Sequence, residues 1–113
     1  MARLGELERA VMDALWDASA PLTANELRDC LAERALAQTT MLTVLSRLEA
    51  KGFVAADGDR RPKRFSARRS RADHTAELML EVLGSASDRE AALARFVDTV
   101  TPREADTLRR LLG

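Results

Sequence analysis

The feature that most constrains the fold of this chain is a single interruption in a series of helical apolar stripes. Leucine, valine and methionine recur at steps of three to four residues along most of the 113-residue sequence, which is the period of an amphipathic helix. Only around residues 53–67 does the pattern become β-prone, on both sides of an Asp-Gly pair typical of hairpin turns. The sequence therefore predicts a mainly α chain with one small β-hairpin.

The first helix is predicted by an apolar stripe that ends ahead of Pro21. Trp16, near the end of this helix, is interpreted as packing in the core or at its rim. The stripe consists of Leu4, Leu7, Val11, Ala14 and Leu15. The charged residues that fall off the stripe are Glu6, Glu8, Arg9, Asp13 and Asp17.

A capping box, Thr23-Ala24-Asn25-Glu26, follows the short extended piece Pro21-Leu22 and predicts a second helix just after Thr23. Leu27, Cys30 and Leu31 form its predicted inner face. Cys30 is therefore interpreted as a small buried hydrophobe, with a redox or metal role as the alternative.

The third helix is predicted to start near Gln38 or Thr39 and to run to Lys51, with Gly52 as a left-handed C-terminal cap. The β-prone pieces are Phe53–Ala56 and Arg64–Ala67, and the connection of residues 57–63 is long enough to project. Helix, short strand, helix, helix and hairpin form the arrangement of a winged helix-turn-helix domain, which we expect over residues 1–70.

Residues 71–113 carry three further apolar stripes. The first ends near Gly84, and the capping boxes Ser87-Asp88-Arg89-Glu90 and Thr101-Pro102-Arg103-Glu104 open the other two. About forty residues make too small a core to bury three stripes alone, which predicts a helical dimerisation tail, most simply half of a two-fold dimer. The residues predicted to dimerise are Leu78, Val82, Leu93, Phe96, Val97, Leu108, Leu111 and Leu112.

The inventory of side chains argues against an enzyme. The chain has one histidine, one cysteine and no tyrosine, and a small enzyme would need a pocket around Cys30 or His74, for which no third partner is present. His74 and Glu77 could share a helix face, but two ligands are too few for a metal site. His74 is therefore interpreted as a surface residue, and neither a metal nor a cofactor is expected.

The same inventory bears on the compartment. A lone cysteine cannot form an internal disulfide, which favours a reducing environment. No stretch approaches the roughly 18 consecutive apolar residues of a membrane span, and the N-terminus lacks the pattern of a secretory signal. We expect a cytoplasmic protein without membrane insertion.

The net charge of zero hides a block structure. Residues 38–71 carry nine basic and three acidic side chains, net +6, whereas residues 1–37 and 72–113 each carry net −3. A basic third between two acidic thirds predicts one local site for a polyanion. The alternative is a solvated basic face without a partner.

On a helical wheel the third helix separates into two faces with different chemistry. The apolar face, predicted to pack on the first two helices, consists of Met41, Val44, Leu45 and Leu48. The other face carries mostly small hydroxyl side chains, which let a helix approach base edges in the major groove of DNA, whereas the alternative is a merely decorated surface helix. The DNA-contacting residues predicted on this helix are Thr39, Thr40, Leu42, Thr43, Ser46, Arg47 and Lys51.

A basic wing over about residues 57–64 adds contacts to the sugar-phosphate backbone. Seven basic residues lie within the twelve residues that end at Arg71, a density suited to phosphate contact but carrying little sequence information. RNA or an acidic protein could use the same patch. The wing residues predicted to contact DNA are Arg60, Arg61, Lys63 and Arg64, and the following segment adds Arg68, Arg69 and Arg71.

Two stretches of the sequence resemble the penicillinase-repressor (BlaI/MecI) family of bacterial transcription regulators. They are Leu4-Gly5-Glu6-Leu7-Glu8-x-x-Val11-Met12-x-x-Leu15-Trp16 and Thr39-Thr40-x-x-Thr43-x-Leu45-x-Arg47-Leu48-x-x-Lys51-Gly52. The tail from Phe96-Val97 to Leu111-Leu112 is similar to the dimerisation end of the family. The resemblance implies a homodimeric winged-helix repressor of inverted-repeat operators, often with TACA/TGTA cores, in which Thr39, Thr40, Thr43 and Arg47 meet DNA, and a link to β-lactam resistance.

The resemblance also implies an induction mechanism, from which this chain departs. In the family a membrane-bound β-lactam sensor triggers cleavage at an Asn–Phe bond, and the matching bond here is Arg95–Phe96. We therefore expect either cleavage by a sensor-linked protease of different specificity or no cleavage. The C-terminal cysteine cluster of the copper-responsive relatives is missing from the sequence. The alternative function is a winged-helix module that binds proteins and not DNA.

Overall fold

The computed structural model describes residues 3–58 and 61–113, and its elements follow the predicted order. The helices are α1 Glu6–Asp17, α2 Ala24–Cys30, α3 Gln38–Ala50, α4 Arg71–Gly84, α5 Arg89–Thr99 and α6 Pro102–Leu112. The strands are β1 Leu22–Thr23, β2 Val54–Ala56 and β3 Arg64–Ala67. A short 3-10 helix over Ala32–Arg34, which the sequence pattern did not predict, lies between α2 and α3.

Local signals determine the helix ends. The Thr23 hydroxyl accepts from the Glu26 amide at 3.1 Å, and the Glu26 carboxylate accepts from the Thr23 amide at 2.8 Å, so the predicted capping box is confirmed. At the end of α3, Gly52 has a φ of +83°. The amide of Phe53 donates to the carbonyl of Leu48 at 2.9 Å, which is the long bond of a Schellman motif and ends the helix where predicted.

The three strands form one antiparallel sheet in the order β1-β3-β2. Leu22 pairs with Phe65, and Val54 pairs with Ala67. The central strand is therefore the last of the three in sequence, and it ties the extended piece before α2 to the hairpin after α3. Residues 57–63, which we call the wing, connect β2 to β3. The mainly α winged-helix arrangement expected from the sequence is confirmed.

The core lies where α1, α2 and α3 meet the sheet. Val11, Met12, Leu27, Met41 and Leu48 are completely buried, and each such side chain contributes about 1.5–3 kcal/mol to folding. The predicted apolar faces of α1 and α3 thus pack as expected. The remaining buried apolar residues are Leu15, Ala24, Leu31, Val44, Leu45, Phe53, Val54 and Phe65.

The chain divides into two compact units, of which the first ends at Thr75 and the second, the tail unit, runs from Ala76 to Gly113. The predicted boundary at 70/71 lies at the start of α4, whereas the first unit includes the first turn of that helix. His74 accounts for the difference, because it is only 3% exposed and its ring lies 5.5 Å from the rings of both Trp16 and Phe53. The prediction of a surface histidine was therefore wrong.

The prediction of a buried Cys30 was also wrong, because Cys30 is exposed. The buried positions of α2 are Ala24 and Leu27, joined by Leu31 just beyond its end. At 100° per residue, Cys30 lies about a quarter turn from the centre of that group.

Within the tail unit, α5 and α6 begin at side-chain caps. The Thr101 box with Glu104 and Pro102 at the first helical position is confirmed. The cap of α5 is Asp88 instead of Ser87, because the Asp88 carboxylate accepts from the Ala91 amide at 3.0 Å. The helix therefore starts one residue later than predicted.

Candidate nucleic-acid interface

The outward face of α3 is a continuous exposed surface of unusual composition. Leu42 is 45% exposed, although it lies one residue from the fully buried Met41. The face therefore presents hydroxyl and methyl groups around one apolar side chain, with a single positive charge. We call this set the readout face, and it consists of Thr39, Thr40, Leu42, Thr43, Ser46 and Arg47, all of them exposed as predicted.

A hydrogen bond within α3 determines whether the Thr43 hydroxyl is available as a donor or as an acceptor. The Thr43 hydroxyl donates its proton to the Thr39 carbonyl at 2.9 Å, one turn back along α3. With that proton engaged, the oxygen faces outward as an acceptor and the methyl group remains free for apolar contact. Such a side chain can accept a hydrogen bond from the amino group of a base, or its methyl group can contact the methyl group of thymine.

Arg47 supplies the charge of the readout face. Within the described ranges its side chain makes no hydrogen bond or ion pair, and Arg47 is exposed near the last turn of α3. An exposed guanidinium with five unused donors suits bidentate contact with guanine or with a phosphate.

The wing contributes charge of the same sign. Arg61 and Lys63 are exposed, and neither side chain has a hydrogen bond or ion pair among the residues that the structure describes. Arg64 is partly covered on β3, where its guanidinium lies 3.7 Å from the Glu26 carboxylate. Arg60, the fourth predicted wing residue, lies outside the described residues.

Arg71, predicted to extend the basic patch, is instead occupied within the first unit. Its guanidinium forms an ion pair with Asp17 at 3.0 Å and lies 5.3 Å from the centroid of the Trp16 ring. The Trp16 indole nitrogen donates to the Arg69 carbonyl at 2.8 Å. Trp16 thus packs at the rim of the core, as expected, and joins α1 to the segment that leads into α4.

Lys51, predicted to contact DNA, is exposed, but its ammonium is paired within the first unit. Its ammonium donates to both carboxylate oxygens of Glu8, at 2.8 and 3.0 Å. Burial alone would raise the pKa of the Glu8 carboxyl, but the bonds from Lys51 and Gly5 outweigh it and hold that pKa below its ordinary value. Glu8 was missed because its charge placed it off the stripe, although it lies four residues from both Leu4 and Met12 and so shares their face.

His74 is another side chain of the first unit whose pKa is shifted. Burial lowers the pKa of its imidazole, and the nearby charge of Arg9 lowers it further. Its Nδ1 atom is buried without a hydrogen-bond partner. Across residues 3–58 and 61–113, no group of three histidine, cysteine or acidic side chains is placed to hold a metal ion.

The tail unit leaves most of its predicted dimerisation residues uncovered. Leu78 and Leu108 are half-buried, whereas Phe96 is 47% and Leu112 is 86% exposed. The Arg95–Phe96 bond lies inside α5. The other predicted residues with large exposed side chains are Val82, Leu93, Val97 and Leu111.

No helix in the described part of the chain is both long and apolar enough to span a membrane.

Comparison with known proteins identifies the kind of protein to which this surface belongs. Residues 4–113 match the model of the penicillinase repressor family. The "Transcriptional regulator BlaI" proteins of Mycobacterium tuberculosis strains CDC 1551 / Oshkosh and ATCC 25618 / H37Rv are each 45% identical over 117 residues, covering 100% of this chain and 85% of theirs. These relatives are transcription regulators and not enzymes.

Two solved structures share the fold at low sequence identity. A MarR family protein from Bacillus stearothermophilus has a TM-score of 0.52 and 21% identity, covering 98% of this chain and 71% of that chain. A MarR/EmrR family transcriptional regulator from Acinetobacter sp. ADP1 has a TM-score of 0.50 and 20% identity over 96% and 71% of the two chains. With a winged-helix fold and a family match over nearly its whole length, the chain belongs to the penicillinase repressor family of transcriptional regulators.

Proposed function

We propose that the chain is a homodimeric repressor that binds an inverted-repeat operator in double-stranded DNA, with α3 in the major groove and the wing on the backbone. The observation that carries the proposal is the readout face, where small polar and methyl-bearing side chains surround one arginine that forms no hydrogen bond or ion pair among the described residues. The solvent-exposed face of a helix that binds no partner is normally rich in charged residues. A helix that must sink between the phosphate strands benefits instead from short side chains with few charges.

The experiment that tests the proposal is selection of bound duplexes from a random pool by the purified chain. A two-fold dimer with one reading helix per subunit should select an inverted repeat whose half-sites are separated by about one helical turn, or by a multiple of it. A chain that retains no duplex even at low salt would instead support the alternative of a protein-binding winged helix.

Arg47 is the readout residue with the largest expected effect on specificity. If Arg47 makes a bidentate base contact, Arg47→Ala should weaken operator binding by about 1–3 kcal/mol and leave random duplex nearly unaffected. If it contacts only phosphate, both affinities should fall alike. A gel-shift comparison of the selected duplex with a random one separates the two, and no loss on either would exclude Arg47 from the interface.

The wing is expected to act through charge alone. Replacing Arg61 and Lys63 with Ala should lower affinity for every duplex and reduce the slope of log affinity against log salt by about 0.9 for each lost phosphate contact. A dimer loses each contact twice. Arg103→Ala together with Arg110→Ala removes the same charge from α6 and serves as the control, and an unchanged slope in the wing variant would exclude the wing.

We further propose that the tail unit pairs with that of a second copy and that DNA release follows loss of this dimer. Exposed apolar side chains are distributed along all three tail helices, and a second copy would cover them symmetrically. A sensor-linked protease that cuts at Arg95–Phe96 would remove part of that surface. Because the bond lies inside α5, the helix must unfold locally before a protease can hold the bond extended.

The proposed target genes follow from the family. Its members are described as penicillinase repressors, and the relatives from Mycobacterium tuberculosis carry the corresponding regulator name. We propose that this chain likewise controls genes connected with β-lactam resistance.

A further inference from the structure

Glu8 is the one carboxylate buried among the described residues, with 8% of the residue exposed. It lies in the first turn of α1 and accepts from the Gly5 amide at 2.7 Å. That bond caps the N-terminus of α1, and this role would not require any further partner for Glu8. The same carboxylate also receives two bonds from Lys51, which lies 43 positions further along the chain. A buried carboxylate needs such partners, because one left unpaired would be costly.

Lys51 uses all of its donors within the protein. In addition to the two bonds to Glu8, its ammonium donates to the Arg3 carbonyl at 3.0 Å. An ammonium has three N–H groups, so in this geometry none remains for a phosphate. Lys51 is the C-terminal cap residue of α3, and the pair therefore joins the end of α3 to the start of α1.

Among the described residues, α3 otherwise packs on the first unit mainly through apolar side chains. Met41, Val44, Leu45 and Leu48 are buried, and burial of apolar surface is not directional. Side-chain packing constrains the rotation and tilt of the helix, and a hydrogen-bonded ion pair adds a directional constraint at its end. Base readout requires side chains to be placed within about 0.5 Å and 10–20°, which a directional pair can provide.

Arg47 lies one helical turn before Lys51 on the same helix, so the position of that turn determines where its guanidinium points. The charge of Arg47 is also close enough to Glu8 to contribute to the lowered pKa of that carboxyl. The buried pair and the readout charge are thus near neighbours at the last turn of α3.

We propose that Glu8 and Lys51 are positioning residues of the DNA interface, which fix the last turn of α3 and thereby Arg47 without touching DNA themselves. The inference rests on the proposed function and deepens it. The competing role, in which Lys51 leaves Glu8 and binds a phosphate, predicts opposite results for Glu8→Gln. Removing the carboxylate would free Lys51 and strengthen binding to every duplex in that case, whereas a lost positioning pair weakens operator binding.

The variants are Glu8→Gln, Lys51→Met and the double variant, measured on the selected duplex and on a random duplex of equal length over a range of salt concentrations. Glutamine can keep the bond from the Gly5 amide, so the start of α1 is preserved. Glu6→Gln is the matched control, because it removes an exposed carboxylate of α1 that pairs with Arg34 at 2.6 Å, away from α3.

We expect each single variant to lower the ratio of operator to random affinity by about tenfold, which is within the range that one bidentate base contact supplies. The double variant should lose no more than either single one, because the two residues act as a unit. The salt slope and the random-duplex affinity should stay at their wild-type values. The control should match wild type throughout.

Three results would overturn the inference. The first is an unchanged ratio of operator to random-duplex affinity in the single variants. A variant that only loses stability would bind both duplexes more weakly in the same proportion and so leave this ratio unchanged. The second is a smaller salt slope for Lys51→Met, together with tighter binding by Glu8→Gln. A wild-type chain without preference for any duplex overturns the proposed function and this inference together, whereas a wild-type preference that survives Glu8→Gln overturns this inference alone.

Discussion

Phe96→Ala is expected to dissociate the proposed dimer into monomers at micromolar concentration. The side chain is 47% exposed in the single chain, so its truncation removes little from the tail unit itself. If it is buried between two subunits, each copy loses about 3–5 kcal/mol, and two-fold symmetry applies the loss twice. The combined loss is then about 6–10 kcal/mol, and since 1.4 kcal/mol is about tenfold, the dissociation constant of the dimer should rise by at least about ten-thousandfold.

Sedimentation over a range of protein concentrations measures this change directly. Arg95→Ala is the control, because Arg95 is exposed on the same helix and ends in a charged group instead of a large apolar one. Binding of Phe96→Ala to a full inverted repeat should fall much further than binding to a half-site. A wild-type protein that sediments as a monomer, or a variant that dimerises like wild type, would refute the assignment of this surface.

Leu48→Ala is expected to lower the free energy of unfolding by about 2–5 kcal/mol. Leu48 is completely buried in the packing of α3 and accepts the Schellman bond from Phe53 at 2.9 Å. The free energy of unfolding of such proteins is typically only about 5–15 kcal/mol, so this substitution removes a large share of it. Urea titration followed by circular dichroism provides the measurement.

Leu42→Ala is the matched control for this prediction, with the same chemical change on the same helix. Leu42 is 45% exposed, and substitutions at such positions usually change stability by less than about 0.5 kcal/mol. The urea midpoint should therefore shift for Leu48→Ala and remain near wild type for Leu42→Ala. Equal shifts in the two variants would mean that the two faces of α3 are assigned incorrectly.

The success of the sequence interpretation depended on how local each signal was. The caps at Thr23 and Thr101 involve side chains and amides three residues apart, and the end of α3 depends on Gly52 and its neighbours. Such contacts can be recognised without any other part of the chain. The apolar face of α3 was equally predictable from the sequence, because four apolar residues at helical spacing define one side of a helix by themselves.

The errors occurred where a second element decided the outcome. Cys30 shares the helical spacing of buried residues, but no other element covers its side of α2. His74 is polar, yet the rings of Trp16 and Phe53 enclose it from distant parts of the chain. The ion pair of Lys51 was likewise not recognisable from the sequence, because its partner Glu8 lies 43 residues earlier.

The packing around Trp16 also gives this protein an optical probe of its own. The sequence contains one tryptophan and no tyrosine, so near-ultraviolet emission comes from a single indole. That indole is hydrogen-bonded to the Arg69 carbonyl at 2.8 Å and lies 5.5 Å from the ring of His74. The emission maximum and the intensity of Trp16 fluorescence should therefore report whether the first turn of α4 is packed against α1, without any attached dye.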